Sequence, residues 1–158
     1  MDPISDTLRS KLQNLLSYLT QVTRGFESIA QDIESANLKT AMIAISSESK
    51  QYVAEINDQL QEFDKVNFNS AADGIWQSIE MNTHEQASFL KGGEIVALCN
   101  NCEIYYNRLY KEILEEYFPH KIFRDLITFQ FYATQCAFMK IRILNKLRFV
   151  NTGSSITP

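Results

Sequence analysis

Residues 8–33 have the sequence LRSKLQNLLSYLTQVTRGFESIAQDI, in which an apolar residue recurs at alternating four- and three-residue steps. These apolar residues are Leu8, Leu12, Leu15, Leu19, Val22, Phe26, Ile29 and Ile33. The spacing puts all of them on one helical face, so it predicts a long amphipathic helix, with Asp2 as its N-cap and Pro3 in its first turn. A glycine costs about 1 kcal/mol in a helix interior, and Gly25 therefore predicts a close approach of another helix.

A second helix is predicted from Asn37 onward, with Asn37 as its N-cap. Its apolar stripe consists of Leu38, Met42, Ile45, Tyr52, Ile56, Leu60 and Phe63, and Ser49 is the one polar residue on it. Only residues 35–37 separate the two helices. Because so short a connection leaves no room for a crossover, the two helices are expected to form an antiparallel hairpin.

The helical pattern breaks between Asp64 and Gly93. Within this stretch Ile75, Trp76 and Ile79 stand at helical spacing, and Lys91-Gly92-Gly93 is the strongest helix-breaking signal in the chain. A structureless loop of this length is unusual inside a compact domain. We therefore predict a connection that contains one short helix and is long enough to run the length of a bundle.

A second hairpin follows. The third helix is predicted from Glu94 to a point before Pro119, and the fourth from His120 to Phe149. The third helix places Ile95, Cys99, Cys102, Tyr106, Leu109, Ile113 and Tyr117 on one face. The fourth has apolar residues around more of its circumference than one buried stripe requires, so it is expected either to be the central helix or to meet another subunit.

These elements predict an all-α, ferritin-like four-helix bundle, in which two antiparallel helical hairpins are joined by a long crossover containing a short helix. Residues 1–150 are expected to form this single domain. Residues 151–158 are small and polar, and are expected to be a flexible C-terminal tail.

Composition excludes several classes of protein. The 158 residues are 45% hydrophobic, which is too apolar for a disordered chain, and the net charge of -4 gives no electrostatic reason to expect nucleic acid binding. No run of 18 apolar residues occurs, so no membrane span is expected. Three cysteines, an odd number, without a secretory signal are typical of a reducing cytoplasm.

Four segments of the chain are distinctive: GFESIAQDIESANLK (25–39), SESKQYVAEI (47–56), Gly74-Ile75-Trp76, and GGEIVALCNNCEIYYNRLYKEIL (92–114). They resemble a family of uncharacterised bacterial proteins, about 150 residues long, of the ferritin-like superfamily. The likeness covers roughly Leu15 to Arg148 and consists mostly of helix-packing patterns. The resemblance implies a ferritin-like bundle in a bacterial cytoplasm and no particular activity.

Where ferritin-like proteins carry chemistry, they use a dimetal centre: one Glu from each of two helices and a Glu-x-x-His pair from each of the other two. This chain has no Glu-x-x-His, and its fourth helix has no acidic residue after Asp125. Two divalent cations in a core need several compensating carboxylates. Catalytic residues and cofactors are therefore not expected. If iron or manganese is bound, the candidate ligands are Glu48, Gln51, Glu55, Glu103 and Gln130.

Two further groups of residues have a structural and a functional interpretation. Cys99 and Cys102 share a helix face, and Cys136 on the fourth helix is a possible third sulfur for a metal or redox site; otherwise the cysteines are small buried apolar residues. The basic residues Lys140, Arg142, Lys146 and Arg148 suit a helix C-terminus through the helix dipole, and alternatively bind an anionic partner.

The second hairpin is dense in aromatic residues: Tyr105, Tyr106, Tyr110, Tyr117, Phe118, Phe123, Phe129, Phe131, Tyr132 and Phe138. One bundle core cannot hide every side of two adjacent helices, so some of these rings are expected at a self-association surface. The alternatives are a thick core covered by the Trp76 helix, or a small-molecule pocket.

The preferred function is a non-catalytic bundle that acts through protein association, as a homo-oligomer and most simply a dimer. The alternative is an iron- or manganese-dependent oxidase or metal store.

Overall fold

The computed structural model describes the backbone of residues 3–64 and 92–156, and the side chains of residues 3–62 and 96–146. Four helices make up this part of the chain: α1 (Asp6–Ala30), α2 (Ala36–Asp64), α3 (Gly92–Leu114) and α4 (Lys121–Ile156). The prediction of an all-α four-helix bundle in two helical hairpins is confirmed. The short helix predicted around Ile75, Trp76 and Ile79 lies outside the described residues.

Serine residues cap the first two helices. The backbone N–H of Leu8 donates to Ser5 Oγ at 3.1 Å, and that of Leu38 donates to Ser35 Oγ at 3.4 Å. The predicted caps Asp2 and Asn37 were therefore wrong. In both helices the serine stands directly before the first helical residue, where its hydroxyl reaches the N–H three residues on.

The helix ends also differ from the prediction. α1 ends at Ala30, and Ile33 is still buried in the connection to α2. α3 begins at Gly92, so the two glycines open the helix rather than precede it. α4 continues to Ile156 and includes most of the segment predicted as a tail, because each added residue gains one backbone hydrogen bond once a helix exists.

Contacts between the hairpins give the helix directions. Lys11 near the start of α1 contacts Glu116 beyond the end of α3, whereas Tyr18, farther along α1, contacts Cys102. α1 and α3 are therefore antiparallel. α4 packs on α2 and α3, and α1 packs on α2 and α3, so each hairpin supplies two neighbouring corners of the bundle.

The predicted stripe of α1 forms the centre of the core. Leu8, Leu12, Leu15 and Leu19 are fully buried, and Phe123 and Ile127 of α4 belong to the same cluster. Burying each such side chain contributes about 1.5–3 kcal/mol. Ser49, the polar residue on the α2 stripe, is also buried. Its hydroxyl is hydrogen-bonded to the Tyr106 hydroxyl, one of the polar contacts at the middle of the bundle.

Candidate functional site

Gln130 connects three helices at the centre of the bundle. Its side chain is 0% exposed, and its amide nitrogen donates to Glu55 Oε1 at 3.2 Å and to the Tyr52 carbonyl at 3.5 Å, both on α2. The Tyr110 hydroxyl on α3 donates to Gln130 Oε1 at 3.0 Å. Both ends of the amide thus have partners, as a buried polar group requires.

A second buried polar contact joins α2 to α3. The Ser49 and Tyr106 hydroxyls lie 2.6 Å apart, and the Tyr106 and Tyr110 rings are parallel with centroids 6.4 Å apart. Burial raises the pKa of Tyr106 and of Tyr110, and it raises the pKa of Tyr52 to about 12. These phenols therefore stay neutral near pH 7 and act as hydrogen-bonding groups of the core.

The five candidate metal ligands do not share one site. Glu55 and Gln130 contact each other, whereas Glu103 forms an ion pair with Arg142 and Gln51 is exposed. Glu48 is half-buried on α2, with Lys140 as its nearby charge. Among the side chains of residues 3–62 and 96–146, no three His, Cys, Asp or Glu residues lie close enough together to hold a metal ion. The Arg142 guanidinium also already neutralises Glu103, so the described residues do not fit a dimetal centre.

Glu48 makes stability depend on pH. Burial raises the pKa of its carboxyl, and the ammonium of Lys140 opposes this shift with a smaller effect. The folded state therefore holds the Glu48 proton to higher pH than the unfolded state, and the free energy of unfolding falls as pH rises above the ordinary pKa of 4.5.

We expect Glu48→Gln to remove this loss, because the amide carries no charge that burial can destabilise. The variant should match the wild type at pH 4 and exceed its free energy of unfolding at pH 7 by roughly 0.5 kcal/mol or less, since solvent screens a half-exposed carboxyl. Urea unfolding at the two pH values measures the difference. Glu27→Gln, at an exposed position of α1, is the control. An equal effect of both substitutions would rule out burial as the cause.

The three cysteines do not meet. Cys99 is buried, Cys102 is partly buried beside it on α3, and Cys136 is exposed on α4. Burial raises the pKa of Cys99 to about 12 and raises the pKa of Cys102. Because thiolates are the metal-binding and nucleophilic form, this pair behaves as apolar packing residues near neutral pH.

Gly25 lies beside a small cleft between α1 and α3. The cleft has a volume of about 70 Å³ and is lined by Tyr18, Gln21, Val22, Gly25, Phe26, Leu98 and Cys102. Gly25 is buried, as expected for a packing position. The space at this glycine suits one or two water-sized groups rather than a substrate of ordinary size.

The aromatic residues of the second hairpin divide into two groups. Six of them are buried in the core: Tyr106, Tyr110, Phe118, Phe123, Phe131 and Phe138. Tyr105, Tyr117, Phe129 and Tyr132 are exposed. Tyr105 packs against Tyr18 at 4.5 Å between centroids, with Arg108 over its ring, and the Tyr132 ring lies edge-on to Phe131 at 5.5 Å between centroids. Among the ring contacts of the described residues, none involves Tyr117 or Phe129.

Most of the exposed apolar side chains of α4 lie on one stripe, which we call the outer stripe. Its members are Ile122, Phe129, Tyr132, Cys136, Met139 and Ile143, all of them exposed. Their spacing of seven, three, four, three and four residues is that of a coiled-coil seam. The stripe faces away from the core, because Ile127 and Ile141 on the opposite side of α4 are buried.

This stripe explains the wide apolar circumference of α4 that the sequence shows. Among the four described helices α4 is not central, because it occupies one corner and packs mainly on α2 and α3. Sequence reasoning recorded Phe129 and Tyr132 as surplus aromatics but missed the stripe. The sequence contains the pattern that could have revealed it. A second series of apolar residues at three- and four-residue steps runs along α4, offset from the buried series so that it falls on the opposite face.

The basic residues near the end of α4 are only partly engaged within the chain. Arg142 pairs with Glu103, and Lys140 lies near Glu48. Lys146 is exposed and continues the spacing of the outer stripe by three residues. The side chain of Arg148 lies outside the described residues.

No family model, curated protein or solved structure matches this chain. Over the described ranges, no helix combines the length and hydropathy that crossing a bilayer requires.

Proposed function

We propose that this protein is a non-catalytic ferritin-like bundle that acts through association, and that it forms a homodimer through the outer stripe of α4. The observation that carries the proposal is the stripe itself. Phe129 is 65% exposed and Tyr132 61%, and Ile122 is 76% exposed at the start of the helix. Scattered surface apolar residues are ordinary, but several exposed apolar residues aligned on one helix face mark an interaction surface.

The dimensions of the stripe suit a helix-to-helix contact. From Ile122 to Ile143 it extends about 32 Å at 1.5 Å per residue. This is three heptads, and the flanking Ala133 and Gln135 are uncharged, so a second helix can approach closely along it. We expect a dissociation constant on the order of micromolar, because three heptads with polar ends bury less area than a standard interface.

The directions of the helices support the ferritin-like connection. α1 is antiparallel to α3, and α1 and α2 form a hairpin. α2 and α3 are therefore parallel. Two parallel neighbouring helices are the arrangement that the long crossover of ferritin-like bundles connects, so these directions support a ferritin-like connection as part of the proposal.

The central polar residues support a structural rather than a catalytic role. The Glu55 carboxylate accepts from Gln130, and the carboxylate of Glu103 is neutralised by Arg142. The buried tyrosines have raised pKa values and hydrogen-bond partners. The iron or manganese alternative stays a prediction, which metal analysis after iron loading tests. Location in a bacterial cytoplasm likewise stays a prediction.

Light scattering across a concentration series tests the dimer. We expect twice the chain mass of 18.2 kDa at tens of micromolar and a decline toward the chain mass on dilution. The chain mass at several hundred micromolar would overturn the proposal. That result would favour the other prediction for this surface, a thick core covered by the chain's own connection.

Thiol labelling gives an independent readout. Cys136 lies within the outer stripe, so its reaction with a soluble disulfide reagent should slow as the protein concentration rises through the dimer transition. The matched control is Cys136→Ser combined with Ile104→Cys, which puts an exposed thiol on α3 outside the stripe. The labelling rate of this control should not depend on protein concentration.

A further inference from the structure

We infer that the two copies pair antiparallel along α4, so that the acidic position of each outer stripe meets the basic end of the other. The inference rests on the proposed dimer and specifies its geometry. The charged residues near the two ends of the stripe determine the expected orientation, whereas its apolar middle would suit either one.

The seam spacing places one charge near each end of the stripe. Asp125 occupies the position between Ile122 and Phe129, and Lys146 occupies the position after Ile143. Both side chains are exposed. Lys140 lies near Glu48 and Arg142 pairs with Glu103, so Lys146 is the basic residue that stands exposed on the seam at this end.

A parallel pair brings like charges together. Asp125 would face Asp125 of the second copy, and Lys146 would face Lys146. Like charges across an interface oppose association. The dipoles of two parallel helices are also aligned unfavourably, with both basic ends at the same end of the pair.

In an antiparallel pair opposite charges approach each other, and the dipoles of the two helices are aligned favourably. With the two-fold axis midway between Tyr132 and Cys136, Phe129 faces Met139 of the second copy, and Asp125 faces Ile143, one helical turn from the exposed Lys146 of that copy. Symmetry repeats every contact twice. Among the described side chains, Asp125 has an exposed ion pair to Lys121 at 3.7 Å, which is weak enough to exchange for a partner on the second copy.

Distance measurement between spin labels distinguishes the two orientations. The variant is Cys136→Ser combined with Lys121→Cys, because the Lys121 side chain is 88% exposed and lies beside the stripe rather than in it. Cys99 and Cys102 label poorly because burial raises the pKa of each thiol. Cys136→Ser alone shows the background labelling.

The antiparallel pair places the two labels about 40 Å apart, from the helical rise over the residues between them, whereas a parallel pair places them within about 20 Å. The long distance supports the inference, and a short one in a protein of dimer mass overturns it while leaving the proposed function intact. A monomer mass with no label-to-label distance overturns the proposed function as well.

Charge reversal provides a second test with the same mass measurement. In the antiparallel pair, Asp125→Lys alone and Lys146→Asp alone each weaken the dimer about tenfold, because each change acts twice by symmetry. The double variant restores the affinity. In a parallel pair each single reversal replaces one like-charge contact by another and leaves the dissociation constant unchanged, a result that would contradict the inference.

Discussion

Phe129→Asp is expected to convert the proposed dimer into a monomer, with a dissociation constant raised at least about a hundredfold. Each copy loses the burial of one large apolar side chain, worth about 1.5–3 kcal/mol, and the two-fold symmetry doubles the loss. A carboxylate at this position would also lose part of its hydration against Met139 of the second copy. Light scattering at a concentration where the wild type is a dimer measures the change.

Ile104→Asp is the matched control for this substitution. Ile104 is 68% exposed, against 65% for Phe129, but it lies on α3 outside the outer stripe. The same loss of apolar surface should therefore leave the dimer unchanged. Neither variant should lower the free energy of unfolding of the monomer appreciably, because both side chains are solvated there. A drop to the chain mass in both variants would show that general surface hydrophobicity, and not the stripe, drives association.

Of the substitutions proposed for this protein, Gln130→Leu should lower the free energy of unfolding of the monomer most, by about 3 kcal/mol. Leucine has a similar volume but leaves the Tyr110 hydroxyl without its acceptor and Glu55 without its donor. An unsatisfied buried hydroxyl costs about 1–3 kcal/mol, and a lost hydrogen bond to a charged group costs about 1.5–3 kcal/mol. Urea unfolding at neutral pH measures the sum.

Two further variants isolate the cause. Gln51→Leu makes the same chemical change at an exposed position of α2 and should alter the free energy of unfolding by less than about 0.5 kcal/mol. Adding Tyr110→Phe to Gln130→Leu should recover about 1 kcal/mol or more, because it removes the hydroxyl that lacks an acceptor. If Tyr110→Phe made the Gln130→Leu protein less stable still, the hydrogen-bond account of this residue would be wrong.

The interior of the bundle shows why some contacts could not be predicted. Sequence reasoning grouped Glu48, Gln51, Glu55, Glu103 and Gln130 because each stands on a helix of the resembled scaffold. The structure joins Glu55 to Gln130 across 75 residues of chain and Glu103 to Arg142 across 39. Such pairs depend on the rotation of each helix about its axis and on which helices are neighbours. The spacing within one helix records neither.

The amino-acid sequence alone determined that this chain forms helices and that they fold back as two hairpins. The row from Leu8 to Ile29 specifies a helix and its buried face, because both depend on a period of 3.6 residues that is written locally. Tertiary structure alone decided which apolar face of α4 is buried: Phe123 and Ile127 lie in the core, while Ile122 and Phe129 lie outside. Both rows have helical spacing, and only the positions of α2 and α3 against α4 distinguish them.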